Sequence, residues 1–194
     1  FLSDCEKWFG RTVIVLKDEK YGASIIEVFR RKQYMKGVRG APCSVALKRT
    51  LLDKFKLPSD EMVLGFTIEE KDRYEDILER FPSALAPLIE NGLTKNDCLA
   101  MIERAGIDLP LMYKLGYNNA NCIGCVKGGM GYWNKIKIDF PSQFEELAKV
   151  QENIGKGANL FKDRTTGERF SLRDLKPEMG RHSEPVPECS FLCE

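Results

Sequence analysis

Apolar residues follow two different patterns along this chain, continuous runs and a recurrence every three or four positions. Continuous apolar runs at residues 12–16 and 62–66 are typical of strands buried on both faces of a parallel sheet. A shorter run at residues 85–89 predicts a third strand, although Pro87 fits only at the edge of a sheet. Elsewhere apolar residues recur every three or four positions, which predicts amphipathic helices. Strands that alternate with helices predict an α/β fold, with a Rossmann-like, mostly parallel sheet flanked by helices and a cysteine-bearing irregular C-terminal tail.

The helical segments carry start and stop signals. Thr94 and Asp97 have the spacing of a capping box that opens a helix, and Gly106 has the position of its C-cap. Pro82 is expected to end the predicted helix at residues 74–81, because proline disfavours the helical conformation of the residue that precedes it. The first helical segment starts at Phe1 and resembles the second half of an amphipathic helix, so we expect that the sequence begins inside a longer protein. The predicted helices cover residues 1–9, 24–34, 43–55, 74–81, 94–106 and 142–154.

The character of the chain changes after residue 155. Beyond it the sequence is polar and irregular, and it ends in a proline-containing segment with two cysteines. A tail without a long periodic helix frays unless something anchors its end. We therefore predict an α/β domain over residues 1–155 and an irregular extension over residues 156–194 that is anchored by cysteines.

Composition restricts the class of protein. Hydrophobic residues make up 43% of the chain and charged residues 30%, as in ordinary soluble globular proteins. A net charge of +1 provides no overall basic field, which makes nucleic acid an unfavoured partner. The absence of a bilayer-length apolar run and of a secretory signal predicts a soluble, cytoplasmic protein without a membrane partner.

Cysteine usage indicates metal or redox chemistry. The chain has seven cysteines and one histidine, His182, so a metal site here must be dominated by thiolates. This excludes a histidine-rich catalytic zinc centre. A chain of this size does not need disulfides for stability, and an odd number of cysteines with a C-x-x-C pair favours metal binding or redox activity. Cys5 and Cys98 lie within apolar helical patterns and are predicted to be core residues.

Residues 116–131 combine the C-x-x-C pair with a glycine-rich, cationic segment. Cys122 and Cys125 can place both sulfurs on one metal, because the turn between them directs the side chains the same way. Lys127 and the glycines at 128, 129 and 131 allow backbone N–H groups to approach an anion. A pair of buried thiols in a turn is the alternative interpretation of this spacing.

Three other cysteines are candidates for the same site. Cys43 follows Pro42 at a predicted helix start, where the helix dipole and unpaired N–H groups stabilise a thiolate. It could equally be a small buried residue at that position. Metal ligation would anchor the tail through Cys189 or Cys193. Cys43, Cys122, Cys125 and one tail cysteine would form a closed four-sulfur site, which suits zinc or an iron–sulfur cluster without separating the two.

Anion-binding candidates follow the second predicted strand and the Cys43 helix start. Ligands bind beyond the carboxyl ends of strands in open α/β sheets, which is where Arg73 is expected to lie. Its guanidinium group can bind phosphate or sulfate in bidentate fashion, although an i,i+4 pair with Glu69 is an equally good interpretation of the spacing. Lys48 lies one turn after Cys43 and could meet an anion or be solvated.

The order of these motifs resembles the phosphoadenosine phosphosulfate reductase family of the PP-loop ATP pyrophosphatase superfamily. It runs from R-G-x-P-C-S at residues 39–44 through G-x-x-x-E-x-x-x-R at residues 65–73 to C-x-x-C at residues 122–125 and the terminal cysteines. The similarity covers nearly the whole chain. It is strongest to reductase-like proteins of phages and bacteria.

The resemblance implies a protein that binds ATP or an adenylyl sulfonucleotide and reduces or transfers sulfur, with a thiol reductant protein as a partner. The cysteines fall where related enzymes bind a four-iron, four-sulfur cluster, for which zinc is the alternative. Cys189 or Cys193 would be either the catalytic cysteine or the remaining ligand. The residues implied to contact the nucleotide are Arg39, Lys48, Gly65, Glu69, Arg73 and Lys127.

Two departures from the family keep a second interpretation open. Ser44 follows Cys43, so the tandem cysteine pair of the cluster-binding reductases is absent. The S-G-G-x-D-S phosphate loop is also missing and is expected upstream of Phe1, without which the chain should bind nucleotide poorly. The alternative is a non-enzymatic, zinc-stapled interaction module of phage origin that acts on host nucleic acid or protein.

Overall fold

The computed structural model describes residues 1–37 and 40–180. The chain divides into two compact units, one formed by Phe1–Val15 with Phe55–Lys114 and the other by Leu16–Lys54 with the chain from Leu115 onward. The predicted domain boundary near residue 155 stays a prediction. No helix in the described part of the chain is long and apolar enough to cross a membrane.

The first unit consists of short helices joined by loops. Its α-helices are α1 (Leu2–Phe9), α5 (Lys71–Leu78), α6 (Pro87–Glu90), α7 (Lys95–Arg104) and α8 (Leu111–Lys114), and a 3-10 turn at Ile68–Glu70 leads into α5. The predicted capping box of α7 is confirmed: the Asp97 N–H donates to Thr94 Oγ1 at 3.1 Å, and the Thr94 N–H donates to Asp97 Oδ2 at 2.9 Å. Helix α1 ends at Phe9, and its C-cap residue Gly10 adopts a left-handed conformation.

The second unit is built on three helices that pack together. They are α2 (Ile25–Lys32), α9 (Met130–Asp139) and α10 (Pro141–Ile154), and α10 packs against both of the others. One continuous helical stretch contains α3 (Pro42–Ser44), a π-helical turn (Val45–Arg49) and α4 (Thr50–Phe55). A 3-10 turn at Lys156–Ala158 follows α10. The predicted helices over 24–34 and 142–154 are confirmed as α2 and α10.

The predicted parallel sheet is wrong. The sheet in the described residues is a two-stranded antiparallel ribbon of β1 (Phe161–Lys162) and β2 (Arg169–Phe170), in which Phe161 lies opposite Phe170. A single parallel bridge joins Val63 to Leu85, on either side of α5. No Rossmann-like sheet is present in the part of the chain that the structure describes.

The correction has a physical cause in two of the three predicted strands. Residues 12–16 are not assigned as a strand, and Ile14 and Val15 are 65% and 56% exposed. An apolar run becomes a strand only where a neighbouring strand takes its backbone N–H and C=O groups; here the Val13 N–H donates to Glu6 Oε1 at 2.8 Å. The predicted strand at 85–89 is also wrong, because Pro87 occupies the first position of α6, where its fixed φ suits a helix.

Buried side chains of the second unit hold the segment after α10 in place. Gln151 is 1% exposed, its Nε2 donates to the Ala158 carbonyl at 3.0 Å, and its Oε1 accepts from the Leu172 N–H at 2.6 Å. Arg173 forms a bidentate pair with Glu145, with both distances 2.7 Å. These contacts fix residues 156–173 along α10.

Candidate thiolate site

Two consecutive turns carry the C-x-x-C pair in the second unit. The Cys125 N–H donates to the Cys122 carbonyl at 3.0 Å, and the Gly128 N–H donates to the Cys125 carbonyl at 2.9 Å. Cys122 is exposed, whereas Cys125 is 8% exposed. The pair therefore occupies a turn that reaches from the surface into the core. One thiol is exposed, and the other is buried as the interpretation of buried thiols in a turn expects.

Glycines let this turn lie directly against the helices. Gly124 has φ 77°, and a Cβ atom there would overlap Leu147 Cδ1 of α10 and lie 3.2 Å from Trp133 Cη2 of α9. A Cβ atom at Gly128 would overlap the ring of Tyr132. Larger residues at either position would push the turn away from α9 and α10.

Tyr132, in the first turn of α9, binds the C-x-x-C turn through its hydroxyl group. The hydroxyl accepts from the Cys125 N–H at 3.0 Å and donates to the Cys122 carbonyl at 2.9 Å. Burial, as the largest cause, raises the pKa of Tyr132. The hydroxyl is therefore protonated at neutral pH and able to donate.

An aromatic layer lies beneath the turn. The Tyr132 ring packs edge to face with Tyr117 and Trp133, with ring centroids 5.9 and 6.2 Å apart, and Trp133 packs in the same way on Phe144. Trp133 is fully buried, and its Nε1 has no hydrogen-bond partner within the described residues. Burial and then the neighbouring Asp139 carboxylate raise the pKa of Tyr117. The layer thus supports the turn mainly by apolar packing.

The charge of Lys36 interacts with three other groups of the second unit. They are Cys125, Lys127 and Arg169, which together with Lys36 are called the Lys36 cluster below. The Lys36 side chain is partly exposed, yet desolvation is the largest cause that lowers its pKa. The charge of Cys125 raises the pKa of Lys36, and the charges of Lys127 and Arg169 lower it further. Arg169 Nη1 also donates to the Asn159 carbonyl at 2.9 Å. A bound anion or a thiolate among these cations would reduce the repulsion between their positive charges.

Cys43 lies at the predicted helix start, as the second residue of α3 after Pro42. Its side chain is half-buried and packs against the apolar cluster of Tyr21, Val28 and Ala46. This contact agrees with the alternative of a small buried residue at the helix start. Lys48 lies in the π-helical turn that follows, a helix type often found at functional sites.

The predicted four-sulfur site is not assembled among the described residues. Within 1–37 and 40–180, no three His, Cys, Asp or Glu side chains lie close enough to hold a metal ion, and this includes the set of Cys43, Cys122 and Cys125. Cys189 and Cys193, predicted as metal ligands or catalytic thiols, lie outside the described residues, as does Arg39. The shared site therefore stays a prediction.

The remaining anion-binding candidates lie in the first unit. Arg73 stacks on Phe66, with 4.8 Å from Cζ to the ring centroid, and forms an ion pair with Glu70. The Glu69 carboxylate accepts from the Lys95 N–H at 3.2 Å and so helps to cap α7. Gly65 is exposed, and a Cβ atom there would meet nothing within 4 Å. Glu69 therefore has a structural role in capping α7, and the Arg73 guanidinium group already contacts Phe66 and Glu70.

Sequence reasoning missed Tyr132, Lys36 and Arg169 as parts of the site. Tyr132 lies seven residues after Cys125, which would place it two helical turns away if the segment were one helix. The intervening turn instead brings it back onto both cysteines. Lys36 and Arg169 are far from the pair in sequence, so no local pattern could have assigned them.

Comparisons with protein-family models, with curated proteins and with solved structures found no match to this chain. The resemblance to the reductase family stays a prediction. Function is therefore inferred from the geometry of the C-x-x-C turn and the charges around it.

Proposed function

We propose that Cys122 and Cys125 provide two thiolate ligands of a metal centre, beside a cationic surface that binds the phosphate or sulfate group of an adenine nucleotide. One observation supports this best: a hydrogen-bonded turn holds both cysteines, and Lys36, whose charge interacts with Cys125, also interacts with Lys127 and Arg169. Cations next to a cysteine favour its thiolate form, which is the form that binds metals and attacks electrophiles. This is the chemistry of a reductase-like protein that reduces or transfers sulfur on an adenylyl nucleotide.

The position of residues 176–179 supports participation of a tail cysteine. Asn134 of α9, two residues after Tyr132, donates its Nδ2 to the carbonyls of Lys176, Pro177 and Met179 at 2.9, 3.2 and 2.7 Å. Cys189 follows Met179 by ten residues. A chain of that length spans at most about 35 Å. We propose that this length brings Cys189 or Cys193 to the turn.

A second candidate function is the non-enzymatic, zinc-stapled interaction module. It is favoured by the helix-rich fold of the described residues, which lack the parallel sheet expected to carry the nucleotide. The two candidates share the cysteine ligands. They differ in the metal and in nucleotide binding, so two measurements separate them.

Metal analysis is expected to find bound metal in the unmodified protein and in Cys98→Ser, and to find little in Cys122→Ser or Cys125→Ser. Cys98 lies on α7 in the first unit, partly buried, and is the matched cysteine control. Iron, acid-labile sulfide and zinc are measured per chain after anaerobic purification. Iron with sulfide supports the reductase-like function, and zinc alone supports the interaction module. A protein that binds neither contradicts the metal centre.

Nucleotide binding is expected to weaken by about tenfold or more in Lys36→Gln and Lys127→Gln, because a charged hydrogen bond contributes about 1.5–3 kcal/mol. Titration calorimetry with phosphoadenosine phosphosulfate and with ATP measures this. Lys149→Gln is the control, since Lys149 lies on α10 and pairs with Glu145 at 3.6 Å. Equal losses in all three variants, or no binding by the unmodified protein, would contradict the nucleotide surface. Sulfite release with a thiol reductant then distinguishes reduction from binding alone.

A further inference from the structure

The Tyr132 hydroxyl forms a closed set of hydrogen bonds with the C-x-x-C turn. The Cys125 N–H is directed at both the Cys122 carbonyl and the Tyr132 oxygen, each at 3.0 Å. The same Cys122 carbonyl accepts from the Tyr132 hydroxyl at 2.9 Å. One oxygen atom of α9 therefore links the backbone of the first cysteine to that of the second.

The ring that carries this hydroxyl is itself held in place. Gly128 lies against one part of the ring so closely that a Cβ atom would overlap it. Tyr117 and Trp133 pack edge to face with the ring. A hydroxyl on a ring held by packing, in the first turn of a helix, has a defined position relative to both cysteines.

We propose that Tyr132 is a positioning residue that fixes the relative placement of the Cys122 and Cys125 thiols. Its consequence for metal affinity rests on the proposed function, whereas its effect on the turn does not. Tyr132 contacts the backbone of both cysteines and so holds the turn in one conformation. Groups that orient metal ligands in this way commonly change metal affinity by 10- to 100-fold when they are removed.

Tyr132→Phe tests this inference because it removes the hydroxyl and keeps the ring on which Gly128, Tyr117 and Trp133 pack. In the metal-free protein, amide hydrogen exchange at Cys125 is expected to become at least tenfold faster, with exchange in α10 unchanged. Zinc affinity, measured by competition with a chromophoric chelator, is expected to fall by about tenfold or more. Tyr74→Phe is the matched control, since the Tyr74 hydroxyl donates to the Ala84 carbonyl at 2.7 Å in the first unit.

A second variant guards against a simple loss of folding. Gly128→Ala separates the turn from the Tyr132 ring by the added Cβ atom, and it is expected to accelerate exchange at Cys125 as Tyr132→Phe does, with little further change in the double variant. Unchanged exchange at Cys125 in Tyr132→Phe would overturn the inference. If exchange rises but the unmodified protein binds no metal, the positioning role is supported and the proposed metal centre fails.

Discussion

Gly124→Ala is expected to lower the free energy of unfolding of the cysteine-bearing unit by about 3 kcal/mol. Two costs combine at this residue. A side chain in the left-handed conformation of Gly124, with φ 77°, costs about 1–2 kcal/mol. The added Cβ atom would also overlap Leu147 Cδ1 and lie 3.2 Å from Trp133 Cη2, and overpacking of this kind costs about 1–3 kcal/mol.

Urea unfolding followed by Trp133 fluorescence measures this loss. A Trp8→Phe background leaves Trp133 as the one tryptophan of the chain, so the signal reports on the second unit. Gly157→Ala is the matched control, because a Cβ atom there meets nothing within 4 Å and no positive φ is involved. In a Leu147→Ala background the cost of the overlap with Leu147 should disappear, and the backbone cost and the Trp133 contact should remain. Equal stability of Gly124→Ala and Gly157→Ala would contradict this account of the turn.

Gln151→Met is expected to lower the free energy of unfolding by a similar amount, about 3 kcal/mol. Methionine has nearly the volume of glutamine, so the change removes hydrogen bonds with little change in packing. It leaves the Leu172 N–H and the Ala158 carbonyl without the partners they have at 2.6 and 3.0 Å. Each residue is at most 2% exposed, and a buried polar group that loses its partner costs about 1–3 kcal/mol.

The same fluorescence measurement applies, with Gln143→Met as the control on the exposed first turn of α10. Hydrogen exchange adds a local readout, since the Leu172 amide is expected to lose protection in Gln151→Met alone. Should Gln151→Met unfold at the same urea concentration as Gln143→Met, the buried amide would not be what holds residues 158–172 against α10.

The sequence determined the local parts of the site. The spacing of Cys122 and Cys125 predicted a turn, and the structure contains one, because two intervening residues, one of them glycine, suffice to close it. Pro42 and the apolar period of the helix after it predict Cys43 at a helix start, which the structure confirms. Whether these cysteines share a metal with the tail was not decidable from spacing, since that depends on the relative position of distant segments.

Tertiary structure alone decided the surroundings of the turn. Tyr132 reaches both cysteines only because the chain folds back after Gly128, and α9, which carries it, was not predicted at all. Its apolar residues face several directions, since Trp133 and Ile136 are buried in the core while Ile138 is 79% exposed. A helix of this kind has no clear amphipathic period. The Lys36 cluster joins distant segments of the sequence, with 89 residues from Lys36 to Cys125 and 44 from Cys125 to Arg169.

The fold divides in the same way. Helices α2, α7 and α10 followed from sequence, because capping and amphipathic periodicity act within a few residues and do not depend on the rest of the chain. The predicted strand at residues 12–16 failed because a strand requires a partner. The apolar run at residues 12–16 has the composition of a buried strand, yet Ile14 is 65% exposed. Residue pattern determines which segments are able to form a sheet, and only the packing of the whole chain determines whether neighbouring strands are there to complete it.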